Sequence, residues 1–79
     1  MKVLNKPTYN QINPAKLLLS KWTAVAPQNK EKHFLVTDVN KDEHGTVLTC
    51  TVEAVFTKNT IELEWQALKD CNRWMAGWH

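Results

Sequence analysis

Ten Lys and Arg against eight Asp and Glu leave this 79-residue chain a net charge of +2, too small to mark a general polyanion binder. A chain of this length is one domain that buries only roughly 60% of the surface its unfolded form exposes, so its four Trp residues must supply much of the apolar burial. Cys50 and Cys71 make no CxxC pair and no dense framework, and the three-leucine run Leu17–Leu19 is far short of a signal sequence or a membrane span. The composition therefore reads as a soluble, reduced, cytoplasmic protein without membrane contact, with a single Cys50–Cys71 disulfide left open.

Residues 1–12, MKVLNKPTYNQI, have no sustained period and are interrupted by Pro7, which predicts a flexible N-terminal arm ahead of one domain over 13–79. NPAKLLLS carries a helix-start signal. Asn13 can accept hydrogen bonds as N-cap, and Pro14 lacks the N–H that would be unpaired at the first helical position. A short helical turn near 14–20 is expected. KWTAVAP, closed by Pro27, reads as a first strand, and HFLVTDV (33–39) as a second. In NKDEHG, Gly45 can take the positive φ that a hairpin return often needs.

Residues 46–56 alternate clearly. Leu48, Cys50, Val52, Ala54 and Phe56 share one parity and Thr49, Thr51 and Glu53 the other, the pattern of a half-buried strand. TIELEW alternates again, with Ile61, Leu63 and Trp65 inward. A two-residue turn at Lys58–Asn59 would set Phe56 opposite Ile61, Ala54 opposite Leu63 and Val52 opposite Trp65. It would also set Glu53 opposite Glu64, an unfavourable like-charge pair that calls for a neighbouring lysine or marks an acidic patch.

In QALKDCNRWMAGWH a helical turn can begin at Gln66–Asp70. Gly77 then favours an irregular or extended tail closing over the sheet, although a continuous helix aligning Trp65, Leu68, Met75 and Trp78 stays open. Within the tail, Trp74 is expected to pack onto the sheet and Trp78 to be at least half exposed. The fold class is mainly β: a small curled antiparallel four-stranded sheet or open SH3-like barrel, with short helical turns near 14–20 and 66–70.

NPAKLLLSKWTAVAPQNKEKHFLVT (13–37), EAV (53–55) and WQALKDCNRWMAGW (65–78) together resemble a small tryptophan-rich family of proteobacterial and cyanobacterial proteins. The likeness spans nearly the whole chain outside the N-terminal arm and residues 40–52. It singles out Trp22, Trp65, Trp74 and Trp78 as the family's aromatics. It implies no activity, because the family has no assigned biochemical function.

No arrangement of residues signals catalysis. Cys50 or Cys71 with His33, His44 or His79 has no local nucleophile signature, and with Gly45 and Gly77 as the two glycines there is no phosphate-cradling loop. The scattered His and Cys and the turn DEHG do not have metal-ligand spacing, so neither metal nor cofactor is expected. Binding classes remain. A protein partner would use an aromatic and arginine hot spot at the C-terminus, Arg73, Trp74 and Trp78. The alternative is a small nucleic-acid-binding barrel using Lys30, Lys32, His33, Lys21 and Arg73 with an exposed Trp, since cations interleaved with aromatics are what single-stranded platforms present. The sequence favours a non-enzymatic binding or accessory module with a protein partner.

Overall fold

The computed structural model describes residues 9–79. Five antiparallel strands form one open sheet: β1 (Lys21–Gln28), β2 (Glu31–Lys41), β3 (Val47–Ala54), β4 (Thr60–Glu64) and β5 (Trp74–Ala76), in the order β4-β3-β2-β1-β5. The sheet does not close into a barrel. It has one strand more than expected, because the tail expected to be irregular or extended is extended over Trp74–Ala76 and pairs along β1 (Trp22 with Ala76, Ala24 with Trp74). No continuous helix forms over 65–78; only a 3-10 turn, Trp65–Lys69, precedes β5.

The first helical signal folds as read. Asn13 Oδ1 accepts from Ala15 N at 3.0 Å and Pro14 opens a 3-10 turn over Pro14–Lys16. That turn delivers Leu17 into the core at 1% exposure and leaves Leu18 and Leu19 in solvent. Of the arm expected over 1–12, residues 1–8 lie outside the described residues, while the last part is fastened. Tyr9 bridges Asp70, Asn10 Nδ2 donates to Leu68 O and Trp74 O at 2.8 Å each, and Ile12 packs against the core.

One face of the sheet holds the core. Trp22, Phe34, Val36, Cys50, Val52, Ala54 and Trp74 are buried there beneath Leu17 and Leu68, one from each 3-10 turn. Phe34 and Trp74 meet edge to face, with ring centroids 5.1 Å apart. Trp74 Nε1 is buried with no hydrogen-bond partner among the described residues, a cost of about 1–3 kcal/mol that its packing outweighs. Trp65 is only half-buried against this core, and Lys69 Nζ lies 5.0 Å from its ring centre.

The β3–β4 register differs from expectation by four residues. Val52 lies opposite Ile61 and Cys50 opposite Leu63, so inward parity is kept while each partner changes. The cause is the connection. Instead of a two-residue turn at Lys58–Asn59, the chain makes a five-residue loop, Val55–Asn59, closed by Lys58 N to Ala54 O and Ala54 N to Asn59 O, with Lys58 at φ 69°. Glu31 holds this loop from β2: its Oε2 accepts from Thr57 Oγ1 at 2.5 Å and Asn59 Nδ2 at 2.8 Å, and these bonds lower the Glu31 pKa below the usual carboxylate value. The new register removes the Glu53–Glu64 opposition. Glu53 now faces Thr60, Glu62 faces Thr51 and Glu64 faces Thr49, while Lys58 Nζ stands 3.9 Å from Glu53. Phe56, expected inward, sits in the loop at 74% exposure.

Cys50 is a buried thiol and takes part in no disulfide. Burial pushes the Cys50 thiol from its ordinary 9.0 up to about 11. Below pH 9 the thiol is protonated whether the chain is folded or unfolded. Above it, the unfolded chain releases the proton first. The stability carried by Cys50 should therefore fall as pH rises from about 9 to about 11, by roughly 2 kcal/mol. Denaturant titrations of wild type and Cys50→Val across that range should show the loss in wild type alone. The same titrations should find Trp22→Ala destabilised by about 3–5 kcal/mol and Trp65→Ala by less, because a half-buried ring leaves a smaller cavity.

Candidate binding surface

The second face of the sheet carries Lys21, Thr23, His33, Leu35, Thr51 and Glu53, the residues whose parity turns them away from the core. Among the described residues, no strand or helical turn covers it. What crosses it is the segment after β5. Gly77, at φ +85°, reverses the chain in a conformation a side chain would strain, and its N–H donates to Lys21 O at 2.7 Å. Thr23, fully buried although polar, then fixes the segment: Thr23 Oγ1 donates to Gly77 O at 2.7 Å and accepts from His79 N at 3.0 Å.

This reversal places Trp74 and Trp78 on opposite faces. Trp78 is 43% exposed, slightly less than the half expected, and it is anchored: Nε1 donates to Phe34 O at 2.9 Å. Lys21 Nζ lies 4.9 Å from its ring centre, and the His33 ring stands 6.0 Å away at 42°. His33 Nε2 in turn donates to His79 O at 2.7 Å. Lys21 and His33 come from neighbouring strands, and the β1–β2 register that sets Lys21 opposite Leu35 and Thr23 opposite His33 brings both beside the indole.

A cleft of about 560 Å³ adjoins this cluster, lined by Lys30, Lys32, His33, Val55 and Phe56. Its position follows from the β1–β2 hairpin. Gln28 pairs with Glu31, leaving Asn29 and Lys30 as a two-residue turn with φ 56° and 63°, the both-positive geometry of a type I′ return. Asparagine tolerates that conformation. Lysine does not favour it, so Lys30 is held at the tip at a backbone cost.

Of the four basic residues named from sequence, Lys21 and His33 flank Trp78, and His33 also lines the cleft that Lys30 and Lys32 border. The other trio is divided. Trp74 is core, and Arg73 lines a separate cleft of about 330 Å³ beside Ala24, Phe34, Ile61 and Trp74. Phe56 and Thr23 were missed as contributors. Strand parity placed Phe56 inward, and only the length of the 55–59 loop releases it. For Thr23 the available signal is weak: a hydroxyl between Trp22 and Ala24 in an apolar strand, with a glycine near the chain's last tryptophan.

Charge divides this face. Glu53, Glu62 and Glu64 lie along β3 and β4, opposite the basic and aromatic half on β1, β2 and the closing segment. Glu62 Oε2 accepts from Asn40 Nδ2 at 2.8 Å and Thr49 Oγ1 at 3.2 Å. Among the described residues, no group of three or more His, Cys, Asp or Glu is placed to hold a metal ion, and no helix is long and apolar enough to cross a membrane.

Comparison with known proteins gives one result. No curated protein and no solved structure matches the chain. A family model does, across residues 20–79, from the residue before β1 through Trp22, Trp65, Trp74 and Trp78 to the closing segment. The chain belongs to the tryptophan-rich protein family of unknown function described as DUF2389.

Proposed function

We propose that this protein is a non-enzymatic binding module that holds single-stranded nucleic acid on the basic and aromatic half of its open sheet face. The observation that carries this reading is the juxtaposition of Lys21, His33 and the anchored, partly exposed Trp78 ring with the cleft of Lys30, Lys32 and Phe56. Stacking on a base needs an aromatic ring that is both accessible and fixed, and the Trp78 Nε1 bond to Phe34 O fixes it. Phosphates beside a stacked base need a cation close to the ring, and Lys21, whose Nζ lies over the Trp78 ring 4.9 Å from its centre, supplies one by swinging off that face as the base enters. The acidic strands on the far half confine a polyanion to one side, so the ligand is a short stretch of strand.

The acidic half supports a second reading, a protein partner of mixed charge that spans both halves of the face with Trp78 as its anchor. Salt separates the two. Fluorescence anisotropy of a labelled oligonucleotide should show log affinity falling with log salt at a slope of about −2 if the three lysines neutralise phosphates. A Lys30→Glu, Lys32→Glu double variant should bind about tenfold or more weakly, and Trp78→Ala should lose about 1–3 kcal/mol of stacking. An oligonucleotide that does not bind wild type even at low salt would remove the nucleic-acid reading, and a nuclease-insensitive partner captured on the same Trp78 surface would replace it.

The strained turn yields a separate expectation. Lys30→Gly removes a left-handed side chain and should raise stability by up to about 1 kcal/mol while weakening oligonucleotide binding. Opposite signs for the two measurements would distinguish a residue kept for binding from one kept for folding.

A further inference from the structure

Two exposed aromatic rings approach His33 from different sides. β2 runs between β1 and β3 in the sheet, so Trp78 reaches His33 from the β1 side and Phe56 from the end of β3. Phe56 is 74% exposed and outside the core, yet the loop that carries it is fastened on both sides of it. Val55 N donates to His33 O at 2.9 Å, Lys58 N to Ala54 O at 2.8 Å, and a single oxygen of Glu31, Oε2, accepts from both Thr57 Oγ1 and Asn59 Nδ2. A ring on a fastened backbone loses less entropy on binding. Its surroundings are cationic. Lys30, Lys32 and His33 line the cleft with Val55 and Phe56, and among the described residues no carboxylate does. Glu31, although it stands between the two lysines in sequence, lines the other cleft, and Glu53 has Lys58 Nζ at 3.9 Å. An occupant that complements this cleft is a flat ring carried next to an anion, which is a base next to its phosphate.

We propose that Phe56 is a second stacking ring beside Trp78, that Glu31 is the positioning residue that holds it out, and that the strand bound across both rings is pyrimidine-rich. This rests on the nucleic-acid reading above and adds to it a preference among sequences. The preference follows from ring geometry. Bases in a stacked strand lie parallel and advance by about 3.4 Å, whereas the Trp78 and His33 ring centres are 6.0 Å apart at 42°, with the Phe56 cleft on the far side of His33. A strand cannot keep its own stack with one base on Trp78 and another on Phe56. Its bases must part, and the backbone joining them crosses His33 with Lys21 at one end and Lys30 and Lys32 at the other. Every base offers a face to an aromatic ring, so the rings themselves do not discriminate. The cost of parting does, because purines stack on one another more strongly than pyrimidines and have more to lose before any contact forms.

Fluorescence anisotropy of the full chain with labelled oligothymidylate and oligoadenylate of about eight residues, at one low salt concentration, tests this, with near-UV circular dichroism of the buried tryptophans reporting the folding of each variant. Wild type should bind the thymidylate about tenfold more tightly than the adenylate. Phe56→Ala and Phe56→Leu should each weaken thymidylate binding about tenfold and bring the two oligonucleotides within about twofold of each other, since one ring alone requires no parting of bases; Phe56→Trp should keep the preference. Glu31 is tested by sign. Removing a negative charge beside Lys30 and Lys32 would by charge alone tighten binding of a polyanion, whereas Glu31→Ala should weaken thymidylate binding by releasing the loop, and Glu31→Gln, whose amide oxygen can accept both bonds, should restore it. Thymidylate binding unchanged in Phe56→Leu but lost in Trp78→Ala overturns the second ring and leaves the nucleic-acid reading standing. An adenylate bound as tightly as the thymidylate overturns the preference, and Glu31→Ala binding more tightly than wild type overturns the positioning role. A wild type that binds neither oligonucleotide overturns both this inference and the reading beneath it.

Discussion

The hydroxyl of Thr23 determines how this sheet ends. A single antiparallel sheet has two faces, and a chain of this size has two short 3-10 turns with which to cover them. Both turns go to one face, contributing Leu17 and Leu68, and the interior strand β1 would be bare on the other. Thr23 sits there fully buried, and its Oγ1 spends both its donor and an acceptor on the segment that returns after Gly77. A buried hydroxyl without partners would cost about 1–3 kcal/mol, and so would the Gly77 carbonyl and the His79 N–H if they were buried alone. Thr23, Gly77 and His79 are satisfied only together. The position of Trp78 follows, since it is the residue between Gly77 and His79 and its indole reaches Phe34 O, Lys21 and His33.

The same constraint explains why two tryptophans four residues apart do different work. Along β5, Trp74 has the parity of Trp22 and Phe34 and enters the core. If the strand continued, Trp78 would follow it by alternation. Positive φ at Gly77 breaks the alternation and carries the chain around the sheet edge, so the second indole meets β1 and β2 from behind. A tryptophan anchored at its nitrogen yet open on part of its ring is a surface feature with little entropy left to lose on binding, which is the condition for an effective contact residue.

Much of the framework was legible because it depends on local chemistry. Asn13 and Pro14 start a turn wherever they stand, the alternation from Cys50 to Ala54 shows a half-buried strand, and Gly45 marks a hairpin return. The β3–β4 register was not legible because it is set at a distance. Nothing within TKN indicates that Glu31, nearly thirty residues earlier, will bind both Thr57 and Asn59 and hold a longer loop open. Like-charge opposition was the warning in the sequence: Glu53 against Glu64 is a pairing that a slip of four residues relieves without moving any side chain to the wrong face. The basic cluster was legible as residues and not as a place. Lys21, Lys30, Lys32 and His33 could be named from their proximity to aromatics, but separating Arg73 from Trp78 required knowing that the chain turns over between them.

Charge on the open face carries one further consequence. A sheet whose β1–β2 side is basic and whose β3–β4 side is acidic has little net charge to steer a distant polyanion, in line with the overall +2. Under the proposed function, selectivity must then come from short range, where Trp78, Phe56 and the Lys30–Lys32 cleft act within contact distance and screening by salt is weakest. The arrangement suits recognition of a short, locally anionic and stackable segment over capture of long polymers.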